Sequence, residues 1–193
     1  MIGDVLVFLR KHLDALLRSE LGEVDDPTSD KVVFVDGDKI EPITFKLGAV
    51  TQLLINVEEE RVMRSADAYR HQASDGSPQR GQPDIRLFLH VLFVARFKQY
   101  ELAWAHLSKI IEHFQGPRVF MSEDTVELPA QVEKLVMELV TLDFARQNEV
   151  WNALRTTLHP SILYRVGLIA LRDRTPQAAP LIAESRIAVR RLS

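Results

Sequence analysis

The clearest periodic signal in the chain lies between residues 85 and 97, "IRLFLHVLFVARF". Ile85, Leu87, Leu89, Val91, Phe93, Ala95 and Phe97 fall on one parity, and Arg86, Phe88, His90, Leu92, Val94 and Arg96 on the other. Strand side chains alternate between faces, so one face is wholly apolar and the other is apolar in the middle with charged ends. That pattern predicts a central strand, covered on one side and partly covered on the other.

Three stretches carry a helical period instead. In residues 2–20, Ile2, Val5, Leu6, Leu9, Leu13, Leu16 and Leu17 follow the i, i+3, i+4, i+7 spacing, with Arg10, Lys11, Asp14 and Arg18 opposite and Gly22 as a stop. In "KQYELAWAHLSKIIEHFQGP" the apolar stripe is Tyr100, Ala103, Trp104, Leu107, Ile110, Ile111 and Phe114, closed by Gly116-Pro117. "FARQNEVWNALRTTL" follows Asp143, a good N-cap, and ends before Pro160. "QVEKLVMELVTLDF" also matches the helical template, through Val132, Leu135, Val136, Leu139 and Val140, and is rich in helix formers. Its periodicity favours helix.

"KVVFVDGDKI" reads as a hairpin about Asp36-Gly37, "RVFM" as a short strand and "SILYRVGLIAL" as a longer one. "ITFKLGAVTQLLINVEEER" reads as extended, with an irregularity near Gly48. Residues 65–83 lack apolar periodicity and predict a flexible loop, mobile or ordered by a partner. The expected architecture is a single α+β domain over residues 1–172, a mixed or antiparallel sheet flanked by an N-terminal helix and two further helices. An extended C-terminal tail, 173–193, follows.

Composition narrows the classes. The chain has 193 residues, 46% of them apolar, with 24 basic and 27 acidic residues and a formal charge of −3. That near-balance does not support nucleic-acid or membrane binding. There is no cysteine, hence no disulfide, thiolate metal site or Cys nucleophile. No apolar run approaches the ~18 residues of a membrane span, and the N-terminus, interrupted by Arg10 and Lys11, does not read as a signal peptide.

Candidate chemistry is sparse. No phosphate loop, dinucleotide fingerprint, zinc-protease or nucleophile-elbow motif occurs. His106 and His113 lie two turns apart, too far to chelate one ion, and His90 reads as a buried, hydrogen-bonded strand histidine. The carboxylate run Glu58, Glu59, Glu60, followed by Arg61 and Arg64, is the one cluster of interest. Strand parity places Leu53, Ile55, Val57, Glu59 and Arg61 on one face and Leu54, Asn56, Glu58 and Glu60 on the other. Glu58 and Glu60 then stand about 6.5–7 Å apart with parallel side chains, unlike two carboxylates on facing walls of a cleft. A solvated strand end and an ion-pair network, with Arg86 and Arg96 as partners within the sheet or with a neighbouring subunit, stay open.

Six segments in order carry a resemblance: "MIGDVLVFLRKHLDALLR", "LINVEEERVMR", "LFLHVLFVARF", "YELAWAHLSKIIEHFQGPRVF", "EKLVMELVTLDFARQNEVWNAL" and "HPSILYRVGLIAL". Over residues 2–172 the chain resembles the cap, or tail-terminator, proteins of phage-tail-like extracellular contractile injection systems of the virulence-cassette and antifeeding-prophage type. The matching positions include Asn56, Glu58 to Arg61, Phe114 to Gly116, Asn148, Trp151, Pro160, Ser161 and Tyr164. Of these, Trp151 reads as core, Gly116 as a helix stop and Tyr164 as a half-buried strand residue.

The resemblance implies a non-enzymatic structural protein without cofactor or metal. It implies a homo-oligomeric ring, usually of six subunits, on the distal end of an inner tube. That ring ends tube and sheath polymerisation and joins the last sheath layer. The implied partners are the inner tube protein, the sheath protein and further copies of the chain, with no nucleic acid and no membrane. Assembly would be in the bacterial cytoplasm, on a particle that can be released. The resemblance also makes "EKLVMELVTLDF" a strand, against its periodicity. The expected contact residues are Glu58, Glu59, Glu60, Arg61 and Arg64, and in the tail Arg186, Arg190 and Arg191, where "RIAVRRL" alternates like a strand able to add to a sheet edge. The alternative is a non-catalytic adaptor or assembly factor that binds another tail component as a monomer.

Overall fold

The structure, a computed structural model, describes residues 1–21, 30–36, 43–60, 70–72, 78–80, 85–170 and 177–178. In chain order the elements are α1 (Ile2–Leu21), β1 (Val32–Phe34), β2 (Ala49–Glu59), β3 (Arg70–Gln72), β4 (Pro78–Arg80), β5 (Ile85–Arg96), α2 (Tyr100–Gln115), β6 (Val119–Met121), β7 (Val132–Val140), α3 (Phe144–Ala153), β8 (Ser161–Ala170) and β9 (Gln177–Ala178). Six strands form one sheet in the order β1-β2-β5-β8-β7-β6, and β3, β4 and β9 form a small second one. All ladders are antiparallel except β1 with β2, so the main sheet is mixed and the fold is α+β. Among the described residues no helix is long and apolar enough to cross a membrane.

The strongest sequence signal became the centre of the sheet. β5 is hydrogen-bonded on both sides, and Leu89, Val91, Phe93 and Ala95 are fully buried. They meet α1 through Val5, Leu9, Leu13 and Leu17, and α2 through Ala103, Leu107, Ile110 and Phe114. Burying each such side chain is worth about 1.5–3 kcal/mol, apart from the smaller alanines, so this two-layer contact is the main source of stability. The stripe of α2 is rotated from expectation. His106 turns inward, while Tyr100 and Trp104 form a T-shaped pair on the surface. His106 is accommodated because its Nδ1 bonds the Leu102 carbonyl and its ring stacks on Phe97.

β7 is a strand, so its helical periodicity misled, and the register shows why. The pairing with β8 shifts between Val132 and Lys134, leaving Glu133 as an extra residue. Across that bulge Val132 and Leu135, three residues apart, both face the core, and alternation resumes with Met137. One inserted residue converts a period of two into a spacing that imitates a helix turn.

Several local expectations hold. Asp143 caps α3 by accepting the Arg146 N–H at 2.8 Å. Gly48 has φ of +82°, a left-handed turn that L side chains rarely adopt, and it donates to the Arg96 carbonyl where β2 enters the sheet. Gly116 follows α2 as its C-cap. Val32–Phe34 pairs in parallel with β2, while residues 37–40, the turn glycine and second arm of the expected hairpin, lie outside the described residues. Within 65–83, β3 and β4 pair with each other, and β4 also pairs with Gln177–Ala178 of the tail.

Candidate functional site

The other face of the main sheet changes character halfway along its strands. Its upper part is covered: Leu92, Val94 and Leu163 pack with Phe45 and with Trp151 of α3 in a second, smaller core. One row further down β5 the side chains turn polar. Register aligns Asn56 of β2, His90 of β5, Arg165 of β8 and Glu138 of β7 across four strands. The next row is Glu58, Phe88, Gly167 and Val136. These positions are half-buried or exposed.

The row is wired to itself. Arg165 donates from Nε to Glu138 Oε2 at 2.7 Å and also engages the same carboxylate through Nη2. Its guanidinium lies 4.7 Å from the centre of the Phe88 ring, a cation–π contact that fixes the plane of the charge. Gly167 lies across from Phe88, and a Cβ there would come into ordinary contact with the phenyl ring and with Val136. Glu58 accepts from Asn56 Nδ2 at 3.1 Å, and its second oxygen lies 3.4 Å from His90 Nε2. That last contact lacks the alignment of a hydrogen bond, so the buried Nε2 has a carboxylate beside it and no formed bond. His90 therefore departs from the expected hydrogen-bonded strand histidine.

The expected contact residues divide. Glu58 and Glu59 end β2, and Glu60 follows, its N–H donating to the Arg86 carbonyl at 3.0 Å. Arg61, Arg64, Arg186, Arg190 and Arg191 lie outside the described residues. Arg96 does not join the carboxylates. The antiparallel register sets it opposite Ala49, at the far end of β2, where Nη1 donates to the Phe45 carbonyl at 2.7 Å. Among the described residues the Arg86 side chain forms no ion pair with the run either; it meets Glu60 through backbone alone.

Strand parity needs one correction. The β2–β5 register shifts between Leu54 and Asn56, so Ile55 is an extra residue. Leu53 pairs with Leu92 and Asn56 with His90, on one face, whereas Leu54 and Val57 pair with Val91 and Leu89 on the other. The expected split of Glu58 from Glu59 survives, because both lie beyond the bulge. Tyr164, expected half-buried, is 2% exposed, and burial pushes its phenol up to about 12. Trp151 is core, at 6% exposed.

One contact escaped sequence reading altogether. His12 of α1 and His113 of α2, 101 residues apart, meet Nε2 to Nε2 at 2.8 Å, beside Phe8 and Phe120. Burial lowers the pKa of both, partly offset at His12 by Glu127 and reinforced at His113 by His12. Among the described residues no group of three potential ligands is placed to hold a metal.

The fold has counterparts of known role. The cryo-EM structure of the sheath/tube terminator of an extracellular contractile injection system, PVC, in its extended state is similar over 97% of this chain and 64% of that one, with a TM-score of 0.57 and 17% identity. The cryo-EM structure of the anti-feeding prophage cap, the AFP tube terminating cap, is similar over 93% of this chain and 60% of that one, with a TM-score of 0.51 and 13% identity. The chain thus spans less than two thirds of either. Among curated protein sequences nothing matches it. The family model for the Pvc16 N-terminal domain matches residues 9–184, nearly the whole sequence, and the chain belongs to that family.

Proposed function

We propose that the chain is a cap subunit of a contractile injection particle, a non-enzymatic protein that closes into a ring of six on the distal end of the inner tube. In that role it ends tube and sheath polymerisation and joins the last sheath layer. Its partners are then the inner tube protein, the sheath protein and its own copies, with assembly in the bacterial cytoplasm on a particle that can be released. The observation that carries the reading is the family match over residues 9–184. The fold shared with a sheath/tube terminator and a tube-terminating cap supports it.

The surface chemistry fits a structural role. Glu58 and Glu60 stand along one strand end rather than across a cleft, and Glu138 is committed to Arg165, so neither is arranged for paired-carboxylate catalysis. Exposed ion pairs of this kind contribute only ~0.2–1 kcal/mol each to stability, which leaves orientation of a neighbour as their use. The contact zone we assign is the segment from Glu58 through Glu59, Glu60 and Arg61 to Arg64, with the tail arginines as a second contact.

Negative-stain imaging and mass measurement of the pure protein, alone and with inner tube protein, test the reading. Rings, free or on tube ends, are expected. The E58K/E60K variant should keep the wild-type circular-dichroism spectrum and lose rings. A strict monomer under every condition would overturn the cap reading in favour of a monomeric adaptor, and unchanged rings in the variant would remove Glu58 and Glu60 from the contact.

A further inference from the structure

A concave pocket of about 580 Å³ opens below the C-terminal end of α3, away from the polar row. Its floor is aromatic. Phe45, Trp151 and His159 are in mutual ring contact, with Trp151 and His159 stacked at 6.0 Å and 24° and Phe45 edge-on to both. Its walls carry Arg96 and Arg155, together with the hydroxyl-bearing Thr156 and Thr157. Among the described residues no aspartate or glutamate lines it, and neither arginine has an ion-pair partner, in a chain whose formal charge is −3.

The two arginines are placed by different means, one through its side chain and the other through its backbone. Arg96 is anchored by Nη1 to the Phe45 carbonyl at 2.7 Å. Arg155 stands just past α3 with φ of +51°, the left-handed position where glycine is the usual residue. The α3 carbonyls nearby are already bonded, Val150 by the Leu154 N–H and Asn152 by the Arg155 N–H, so the helix end asks nothing of an occupant. An aromatic floor flanked by two arginines is the composition of an interface anchor site. It suits a carboxylate-bearing segment with a small apolar side chain.

The chain carries such a segment. Between β6 and β7 the loop "SEDTVEL", 122–128, holds Glu123, Asp124 and Glu127 and no basic residue. It is ordered: the N–H groups of Asp124 and Thr125 donate to the Met121 carbonyl, Leu128 N–H donates to the Thr125 carbonyl, and Leu128 is buried in the main core. Val126 at its tip is 99% exposed, an apolar side chain on a braced loop with nothing to pack on.

Topology keeps the two apart within one molecule. The pocket lies where β5 ends at Arg96 and β8 begins at Ser161. The loop leaves β6 at Met121 and enters β7 at Val132, level with Ala170 at the opposite end of the sheet and beside its β6 edge. A contact between unlike patches at opposite ends of a subunit is heterologous and closes a ring or runs on as a filament. We infer that the Arg96–Arg155 pocket receives the 122–128 loop of a second copy of this chain. Carboxylates of Glu123 and Asp124 take the guanidiniums, and Val126 packs on the Trp151 floor. The inference deepens the ring reading, since its occupant is the neighbouring subunit.

The test uses the W104F protein, in which Trp151 is the sole tryptophan and reports on the pocket floor. Titration with the acetylated, amidated peptide SEDTVEL should give a saturable fluorescence change. The neutral peptide SQNTVQL should bind at least about tenfold more weakly, from loss of charge-assisted hydrogen bonds. R155G should lose the peptide to a similar degree while folding normally, because glycine suits that backbone position. No saturable change, an equal response to the neutral peptide, or inorganic phosphate binding as tightly as the acidic peptide would overturn the assignment. In sedimentation, R155E and E123R/D124R should each fail to associate, and their mixture should associate again, since each pocket then meets a loop of opposite charge. Rings that persist in both variants would overturn this contact and leave the ring reading standing. A wild-type chain that binds the peptide through Arg155 yet never forms rings would support the contact and overturn the ring.

Discussion

Asp14 holds the junction between α1 and β1, and its environment sets a pH signature. Oδ1 accepts the backbone N–H groups of Lys31 at 2.6 Å and Val32 at 3.0 Å, and Oδ2 accepts Arg18 Nε at 2.7 Å. Burial alone would push this carboxyl up, but the backbone donors and Arg18 together outweigh it and hold the pKa below its ordinary value. A carboxyl whose folded pKa is depressed stabilises the fold fully above its unfolded value of about 3.9, and that contribution fades as pH falls through the folded value. D14N keeps the shape but loses the charge and the pair with Arg18, so it should cost about 1.5–3 kcal/mol at pH 7 in urea unfolding. The gap between wild type and D14N should narrow below about pH 4; a gap that stays constant to pH 2 would refute this account. Glu58 differs: its side chain is half exposed, and its contacts to Asn56 and His90 orient it more than they stabilise the chain.

The packing of α1 on α2 predicts a second, separate pH effect. In the His12–His113 contact one Nε2 donates and the other must accept, and two fully protonated rings would set donor against donor. Burial lowers both, and lowers His106 as well, with its Leu102 bond opposing and Lys31 adding to the shift. Groups that bind protons less readily when folded stabilise above the unfolded value near 6.5, and that stability is lost as pH falls below it. Unfolding free energy should therefore be lower at pH 5 than at pH 7.5, and H12Q/H113Q should flatten most of the difference. β7 supplies the complementary test of register. L135A removes a fully buried side chain and should cost about 2–4 kcal/mol, whereas L139S, at a site 48% exposed, should cost less than about 1 kcal/mol. These cases show what the residues reveal unaided. α1 and β5 are legible because their periods run unbroken over three or more turns or alternations. β7 is not, and the faces of β2, though not its strand character, are misassigned before its bulge, because single-residue bulges at Glu133 and Ile55 break the period. The His12–His113 contact and the pocket around Trp151 are invisible in sequence, since they join residues from separate elements that only the folded sheet brings together.

The proposed sheath contact of the tail is a question for the whole particle. The main sheet is complete without it: β8 ends at Ala170, and every strand of the six-stranded sheet lies before residue 171. Among the described residues, Gln177–Ala178 of the tail form a two-residue ladder with Arg80 and Gln79 of β4. So small a ladder adds little to global stability, because two paired residues scarcely repay the entropy of ordering them. A chain shortened to residue 175 should thus fold with a wild-type unfolding midpoint and, if the ring is built from the domain, still form rings on tube ends. What it should lose is the sheath contact, since Arg186, Arg190 and Arg191 and the alternating "RIAVRRL" go with it. Co-expression with tube and sheath proteins, followed by imaging, separates these outcomes. Capped tubes whose sheath is detached or of irregular length are expected. Particles of normal length with a joined sheath would remove the tail from the contact and return that role to the Glu58–Arg64 segment. Loss of rings together with sheath joining would instead place the tail in the subunit contact itself.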